Sequence, residues 1–261
     1  MTAPTTSAQF DVRRADNRFK TNAGWLDSKH SFSFGHHYDE RNTHHGVLMV
    51  NNDDIVVPGQ GFDTHPHRDM EIVTWVLQGS LVHQDSMGHN GVIYPGLAQR
   101  MSAGTGIMHS EKNDSWRLDG VTGTHAKHDD PVHFIQMWVV PDESGITPGY
   151  EQLEIDHELL SGGLVPVATG MPEYVDHSAI RIKNKYAAMH VARMQAGQTP
   201  VTLPDAPLLH VFVARGEASM EGVGLLGEGD AVRVRGGGGQ QLTTDTDAEV
   251  IVWEMHASIA G

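Results

Sequence analysis

Two short motifs place side chains at a spacing that suits metal binding. His65 and His67 are separated by one residue, and so are His109 and Glu111. Because side chains two residues apart on a strand point to the same face, the members of each pair would project together. If the two segments were neighbouring strands, all four side chains would converge. Imidazoles and a carboxylate suit iron, copper, nickel, cobalt, manganese or zinc, so the motifs predict a metal centre.

The surrounding sequence is more informative than the pairs themselves. The chain has 18 histidines in 261 residues, so composition alone gives about one His-x-His pair and about one His-x-Glu pair. Gly59 lies six residues before His65, and Glu71 lies four residues after His67. Together they lower the chance expectation of the pattern to below about 0.01. The prediction of a metal site therefore rests on the flanking residues rather than on the two pairs alone.

The elements that must position these residues are predicted to be strands. Short apolar stretches alternate with turn residues, whereas helical periodicity is scarce and its best candidate, residues 152–160, is short. Residues 78–79, between two apolar runs, are typical of a tight hairpin. This pattern favours an all-β sandwich or barrel. The clearest predicted strands are residues 46–50, 72–77, 81–83, 134–140, 208–214, 231–234 and 249–255.

The composition excludes thiolate chemistry and disfavours several partners. The absence of cysteine rules out disulfides, thiolate zinc sites, iron–sulfur clusters and cysteine nucleophiles. The formal net charge of −15 argues against nucleic-acid or anionic-membrane surfaces. The first residues lack the apolar core of a secretory signal, and no apolar run approaches the length of a membrane helix. We therefore expect a cytoplasmic protein that binds neither nucleic acid nor membranes.

A longer series of segments resembles the pirin family, in particular its bacterial members with quercetin 2,3-dioxygenase activity. The stretch from Gly59 to Gly79 also resembles the first cupin motif. The similarity is densest over residues 22–153. The segments that carry it are residues 24–28, 30–34, 65–79, 83–88, 95–96, 101–111 and 145–151.

The resemblance implies a bicupin, in which two jelly-roll β-sandwich domains lie face to face and only the first binds metal. The C-terminal half has no His-x-His pair, which leaves His190, His210 and His256 isolated in the sequence. The predicted organisation is a disordered N-terminus at 1–9, a metal-binding domain at 10–141, a connecting segment at 142–184 and a metal-free cupin-like domain at 185–261.

The resemblance also assigns the metal ligands to His65, His67, His109 and Glu111. It implies that Glu111 is in addition the catalytic proton acceptor. Glu71 is predicted to lie beside the ligands, because in pirins the carboxylate ligand comes from the His-x-Glu pair. Four ligands leave one or two positions free on a five- or six-coordinate ion. Family precedent favours Fe(II), whereas the general affinity order favours copper or nickel.

The activity implied by the resemblance is that of a metal-dependent dioxygenase. Such an enzyme opens the ring of a flavonol such as quercetin with O2 and releases carbon monoxide. Two alternatives stay open. The chain could be a non-catalytic regulatory protein whose metal redox state controls binding to a protein partner. It could also oxygenate a different metabolite, because fold and ligands do not fix the substrate.

Other histidines and the tryptophans have simpler interpretations. His83 is predicted to be a strand residue packed beside the hairpin. The three tryptophans in apolar stretches, Trp75, Trp138 and Trp253, are expected in the core. Surface positions, some of them near a pocket mouth, are expected for His36, His37, His44, His45, His125, His128 and His133.

Overall fold

A computed structural model describes residues 8–117, 127, 129–177 and 179–259 of the chain. Within these residues no helix is long and apolar enough to cross a bilayer. The helices are α1 (Asp156–Leu159) and three short 3-10 helices at Ala15–Asn17, Ser115–Arg117 and Pro172–Tyr174. The strands are β1 (Gln9–Arg13), β2 (Phe19–Asn22), β3 (Leu26–His30), β4 (Leu48–Val56), β5 (Gly61–His67), β6 (Glu71–Gln78), β7 (Leu81–Asp85), β8 (Asn90–Ile93), β9 (Leu97–Ser102), β10 (Ile107–Lys112), β11 (Val132–Val139), β12 (Gly149–Glu154), β13 (Val165–Thr169), β14 (Ile180–Arg181), β15 (Ala187–Met194), β16 (Val201–Thr202), β17 (Ala206–Arg215), β18 (Ala218–Met220), β19 (Gly224–Leu226), β20 (Ala231–Gly237), β21 (Gln241–Thr243) and β22 (Ala248–Met255).

These strands form two β-sandwiches, and each pairs a seven-stranded sheet with a four-stranded one. In the first sandwich the sheet orders are β12-β9-β6-β11-β4-β3-β2 and β5-β10-β7-β8. In the second they are β1-β20-β17-β22-β15-β13-β14 and β16-β21-β18-β19. The prediction of an all-β bicupin is confirmed.

Strand β6 shows how the two sandwiches are joined. Its sequence is apolar on both faces, and successive side chains point in opposite directions. Val73 and Trp75 point into a core shared with the second sandwich, where they join Trp253. Ile72 and Val76 point into the interior of the first sandwich. The two seven-stranded sheets therefore pack face to face across one continuous apolar layer.

Several strands lie in segments that the sequence analysis predicted to be outside the two domains. Gln9, which the sequence analysis places in a disordered N-terminus, begins β1, and β1 pairs with β20 of the second sandwich. The predicted connecting segment, residues 142–184, supplies β12 to the first sandwich and β13 and β14 to the second. Proline and glycine residues between these short strands give the segment the composition of a linker. The sequence analysis therefore did not predict the three strands.

The predicted hairpin at residues 78–79 is also corrected. Strand β6 pairs with β9 and β11, whereas β7 pairs with β8 and β10. The turn therefore carries the chain from one sheet of the sandwich to the other. Burial of Val76 together with Leu81 in the interior between these sheets favours this layer change over direct pairing of β6 with β7.

Candidate metal centre

The two predicted ligand motifs lie on adjacent strands. Strands β5 and β10 pair antiparallel, with His109 opposite His65 and Ile107 opposite His67, which confirms that the two segments are neighbours. The register shifts between His109 and Glu111. The extra residue of this bulge lies on β5, between Phe62 and His65, whereas β10 pairs with β7 without a shift. His109 and Glu111 therefore keep the alternation predicted along β10, and both are buried.

Three imidazoles converge at this pair of strands. The Nε2 atoms of His65 and His109 are 3.1 Å apart. The ring centroid of His67 lies 4.8 Å from that of His65 and 4.8 Å from that of His109. One ring nitrogen from each residue lies within 4.8 Å of the other two. Three nitrogen donors at this separation can share a single cation.

The protonation states also suit metal binding. The pKa of His67 is lowered to about 4 and that of His109 to about 3. Burial is the largest cause of both shifts, and the neighbouring imidazoles contribute the next largest part. Both rings are therefore neutral near pH 7, which is the form that binds a metal. The Nε2 atom of His67 is buried and has no hydrogen-bond partner. A buried polar atom left unpaired costs about 1–3 kcal/mol, and a bound cation would remove that cost.

Glu111 lies at the side of this cluster and is firmly held. It is 1% exposed, and its Oε2 accepts a hydrogen bond from Gln136 Nε2 at 2.6 Å. Its Oε1 accepts one from the Thr74 hydroxyl at 3.5 Å. Within a 4.8 Å limit its carboxylate groups with His83 and His109, whereas the group of three imidazoles does not include it. The structure thus clusters three of the four predicted ligands and places the fourth beside the shared His109.

The carboxylate of Glu71 makes its hydrogen bonds away from the imidazole cluster. Its Oε2 accepts hydrogen bonds from the Ser102 hydroxyl at 2.9 Å and from the backbone N–H of Lys183 at 2.9 Å. These contacts tie the start of β6 to the end of β9 and to the segment between β14 and β15 of the second sandwich. Glu71 therefore has a structural role at this junction.

The sequence analysis missed several residues around the cluster. His83 is fully buried, and its Nδ1 lies 3.4 Å from Nδ1 of His109. Trp138 is only half-buried, unlike the fully buried Trp75 and Trp253, and its ring lies edge-on to His67 with centroids 4.8 Å apart. A signal for His83 existed, because His83 and Asp85 have the same two-residue spacing as the predicted ligand pairs.

Two other histidines also differ from their predicted positions. His45 is fully buried, and its Nε2 donates a hydrogen bond to the backbone carbonyl of Leu209 in the second sandwich at 3.0 Å. His133 lies on β11 with its Nε2 2.6 Å from Asp53 Oδ1. His125 and His128 lie outside the described residues.

In the second sandwich, two of the histidines that are isolated in the sequence share one carboxylate. His190 and His256 each place Nε2 2.9 Å from an oxygen of Glu254, and the Tyr174 hydroxyl donates to the same carboxylate at 2.7 Å. Burial opposes ionisation of Glu254, but these hydrogen bonds lower its pKa to about 2. Glu254 and His256 also group with Glu173 at a separation that a metal could bridge.

An open cleft borders the imidazole cluster at His67. Its volume is about 450 Å³, and Pro66, Arg68, Ser86 and Met108 contribute to its walls. The side chain of Met108 is 40% exposed, so one wall presents an apolar surface to an incoming molecule. Of the three clustered imidazoles, only His67 lines this cleft.

Comparison with known proteins agrees with the geometry. The family model described as Pirin matches residues 11–139. A Mycobacterium tuberculosis protein with a provisional name as a quercetin 2,3-dioxygenase is 55% identical over 253 residues, which cover 97% of this chain and 98% of that protein. The quercetin 2,3-dioxygenase of Escherichia coli is 34% identical over 244 residues, covering 94% of this chain and 97% of the enzyme.

A solved structure of a related protein contains a bound metal. The bacterial pirin YhhW of Escherichia coli, in complex with nickel(II), superimposes with a TM-score of 0.81 at 31% identity. The match covers 95% of this chain and 100% of YhhW. Sequence, fold and a site capable of holding a divalent metal thus agree, and the chain belongs to the pirin family.

Proposed function

We propose that this protein is a metal-dependent dioxygenase that opens the central ring of a flavonol such as quercetin. The observation that carries the proposal is the convergence of His65, His67 and His109 on adjacent strands, with the buried carboxylate of Glu111 beside them. The names of its relatives, which include the quercetin 2,3-dioxygenase of Escherichia coli, support the same reaction class.

The proposed reaction consumes one flavonol and one O2. The flavonol is oxidised and O2 is reduced, two carbon–carbon bonds of the central ring break, and both oxygen atoms enter the ester product. The carbon between the two broken bonds leaves as carbon monoxide. No further oxidant or reductant is needed for this balance.

The residues proposed to hold the metal are His65, His67, His109 and Glu111. Neutral imidazoles and one carboxylate suit Fe(II), which we propose as the ion, and also nickel or copper. A divalent ion supplies Lewis acidity, which favours the ionised form of a phenolic hydroxyl. The nickel complex of the related YhhW supports a divalent ion at this kind of site.

Glu111 is the proposed acceptor of the proton that the flavonol hydroxyl loses. A catalytic base must lie within hydrogen-bond reach of the proton it takes, and burial shields this carboxylate from bulk water. The hydrogen bond from Gln136 Nε2 holds the carboxylate in place. Gln136 is itself held through Oε1, which accepts a hydrogen bond from Trp138 Nε1 at 3.2 Å.

The cleft at His67 is the proposed approach for the substrate. Its volume of about 450 Å³ lies within the usual range for sites that bind small organic molecules. The apolar residue Met108 and the charged residue Arg68 line it. Such a surface can contact both the planar rings and the hydroxyl groups of a polyphenol.

The test is an aerobic assay with quercetin and protein loaded with Fe(II) or nickel(II), in which loss of flavonol absorbance and release of carbon monoxide are followed. We expect turnover by the wild type and by Gln84→Ala, an exposed position on β7. His65→Ala and chelator-treated protein should lose at least about 100-fold in rate, since loss of a ligand removes the Lewis acid. Equal turnover by His65→Ala would contradict the proposal. Tight metal binding without turnover of quercetin would contradict quercetin as the substrate and would leave both alternatives, a regulatory protein and an oxygenase of another metabolite.

A further inference from the structure

We infer that His83 and Asp85 are positioning residues that fix the tautomer and orientation of the His109 ring, so that its Nε2 lone pair faces the imidazole cluster. This inference rests on the proposed metal centre, because it assigns a role to two residues that surround one proposed ligand. Nothing in the family resemblance or in the comparisons assigns these residues a role.

The geometry is a continuous chain of polar atoms that leads away from the cluster. Nε2 of His109 lies 3.1 Å from Nε2 of His65, whereas its other nitrogen, Nδ1, lies 3.4 Å from Nδ1 of His83. Nε2 of His83 lies 3.3 Å from Oδ2 of Asp85. His109 therefore uses one nitrogen toward the cluster and the other toward β7.

The environment of Asp85 sets the direction of the hydrogen bonds along this chain. Its Oδ1 accepts the backbone N–H groups of Met87 and His89 at 2.9 and 3.0 Å, and its Oδ2 lies 2.9 Å from Nδ1 of His89. A carboxylate surrounded by donors acts as an acceptor. His83 must then donate through Nε2–H and accept through Nδ1.

The tautomer of His109 follows from that of His83. Since Nδ1 of His83 accepts, Nδ1 of His109 carries the proton and donates it to this bond. A neutral imidazole protonated at Nδ1 has its lone pair on Nε2, which is the atom that faces His65. Hydrogen bonding at the second ring nitrogen is the usual way in which proteins orient a metal-binding histidine.

Packing keeps His83 in place. The Tyr150 ring stacks on His83 with centroids 4.8 Å apart and an interplanar angle of 28°, and on His89 at 5.6 Å and 15°. Gly91 lies opposite His83 on β8, and a Cβ atom at Gly91 would lie 2.2 Å from the Tyr150 hydroxyl oxygen. Glycine at this position thus leaves room for the ring that covers His83.

His83 also lies within metal-bridging distance of His109 and Glu111, so it could instead be a ligand. Both of its nitrogens already face polar partners, Asp85 on one side and His109 on the other. A ligand role would require His83 to leave one of these contacts. The inference therefore places His83 outside the set of ligands.

The experiment compares wild-type protein with His83→Phe, which keeps a flat ring for Tyr150 but removes both nitrogens. Gln84→Ala on the same strand is the matched control. Two-bond ¹H–¹⁵N NMR correlations of metal-free protein identify the His109 tautomer, and a competition titration with nickel(II) gives the metal Kd. Asp85→Asn, which keeps the side-chain shape, serves as a second variant if His83→Phe does not fold.

We expect the Nδ1–H tautomer of His109 in wild type and in Gln84→Ala, and a shift toward Nε2–H in His83→Phe. Nickel(II) should bind His83→Phe about 10–100-fold more weakly, the usual cost of losing such a partner. An unchanged tautomer together with an unchanged Kd would overturn the positioning role and leave the metal centre intact. If wild-type protein bound no divalent metal, the proposed function would fail, and the NMR result would still decide whether His83 orients His109.

Discussion

Burial shapes the chemistry of single side chains at the metal centre. It lowers the pKa of His67 to about 4 and that of His109 to about 3, so both rings remain neutral well below the pH at which a free imidazole takes up a proton. The unfolded chain, in which the pKa of histidine is about 6.5, binds more protons than the folded chain between these limits. The stability that His67 and His109 contribute therefore falls as the pH drops from about 6.5 toward 4, whereas Asp54, whose pKa burial raises to about 7, contributes in the opposite sense.

The first prediction follows for metal-free protein. The free energy of unfolding of the wild type, measured by urea denaturation at pH 7.5, 6 and 5, should decrease with falling pH. In His67→Ala the decrease should be smaller, because one group with a lowered pKa is gone. Other buried histidines, such as His45, contribute to the slope in both proteins, so the difference between the two slopes is the quantity that tests this point. Identical slopes would contradict it.

At this scale the sequence predicted that these imidazoles lie together, but not all of the residues that contact them. The spacing of His65, His67, His109 and Glu111 indicated which side chains share a strand face. The contact between His83 and His109 depends on the pairing of β7 with β10, and the position of Glu111 beside the imidazoles depends on the pairing of β10 with both β5 and β7. Neither is encoded in local spacing, since both arise when three strands find their register.

At the level of elements, the close approach of β5 and β10 brings the imidazoles together. Gly61 begins β5 with a φ of +154°, and a Cβ atom there would lie 2.2 Å from the backbone oxygen of Glu111 and 2.6 Å from Cα of Lys112. Backbone atoms cannot move aside as a flexible side chain can. Glycine at this position therefore allows the two strands to pair along their whole length.

The second prediction is that Gly61→Ala pushes β5 away from β10. We expect a loss of stability of about 1–3 kcal/mol, the usual cost of overpacking, and weaker nickel(II) binding because His65 moves relative to His109. Thermal unfolding and nickel titration measure the two effects. The control is Gly227→Ala, where no atom lies within 4 Å of the added Cβ. Normal nickel affinity in Gly61→Ala would show that this approach does not position the site.

The strands themselves were predictable where both of their faces are apolar. Residues 72–77 and 249–255 lie within β6 and β22, each an interior strand of a seven-stranded sheet. Short strands at sheet edges were not predicted. Strand β14 has two residues, and its position depends on the parallel partner β13 rather than on a pattern of its own.

For the whole molecule, the two sandwiches share a core that is anchored by polar contacts. Nε1 of Trp75 in β6 donates a hydrogen bond of 2.6 Å to Oε1 of Glu249 in β22. Oε2 of Glu249 accepts a hydrogen bond of 2.8 Å from Nε of Arg193. Glu249 is 7% exposed, so its partners replace most of the water that it would otherwise bind.

The third prediction concerns this contact. Glu249→Gln keeps the side-chain shape but removes the charge, and it should lower the free energy of unfolding by about 1–3 kcal/mol because one of the two donors, Trp75 Nε1 or Arg193 Nε, then faces an amide NH2 instead of an acceptor oxygen. Urea denaturation followed by tryptophan fluorescence and by circular dichroism should give coincident transitions if both sandwiches unfold together. The exposed Glu217→Gln is the control. A Glu249→Gln protein as stable as the control would contradict this role for the contact.

The division of the chain between the two sandwiches was the least predictable property at this scale. Strand β1 is near the N-terminus but completes a sheet whose other strands lie between residues 165 and 255. Contacts over more than 200 residues leave no local pattern, whereas the face-to-face arrangement of two sandwiches was accessible through the family resemblance.

The central claim is that His65, His67, His109 and Glu111 bind one metal ion. Its most direct test is a crystal structure of the nickel(II)-loaded protein with anomalous data collected at the nickel edge. The account predicts one dominant peak about 2.1 Å from a nitrogen of each imidazole and from a carboxylate oxygen of Glu111, typical of first-row ions, with His83 and Asp85 uncoordinated. A dominant peak elsewhere, or one bound by His83 in place of His65 and His67, would contradict it.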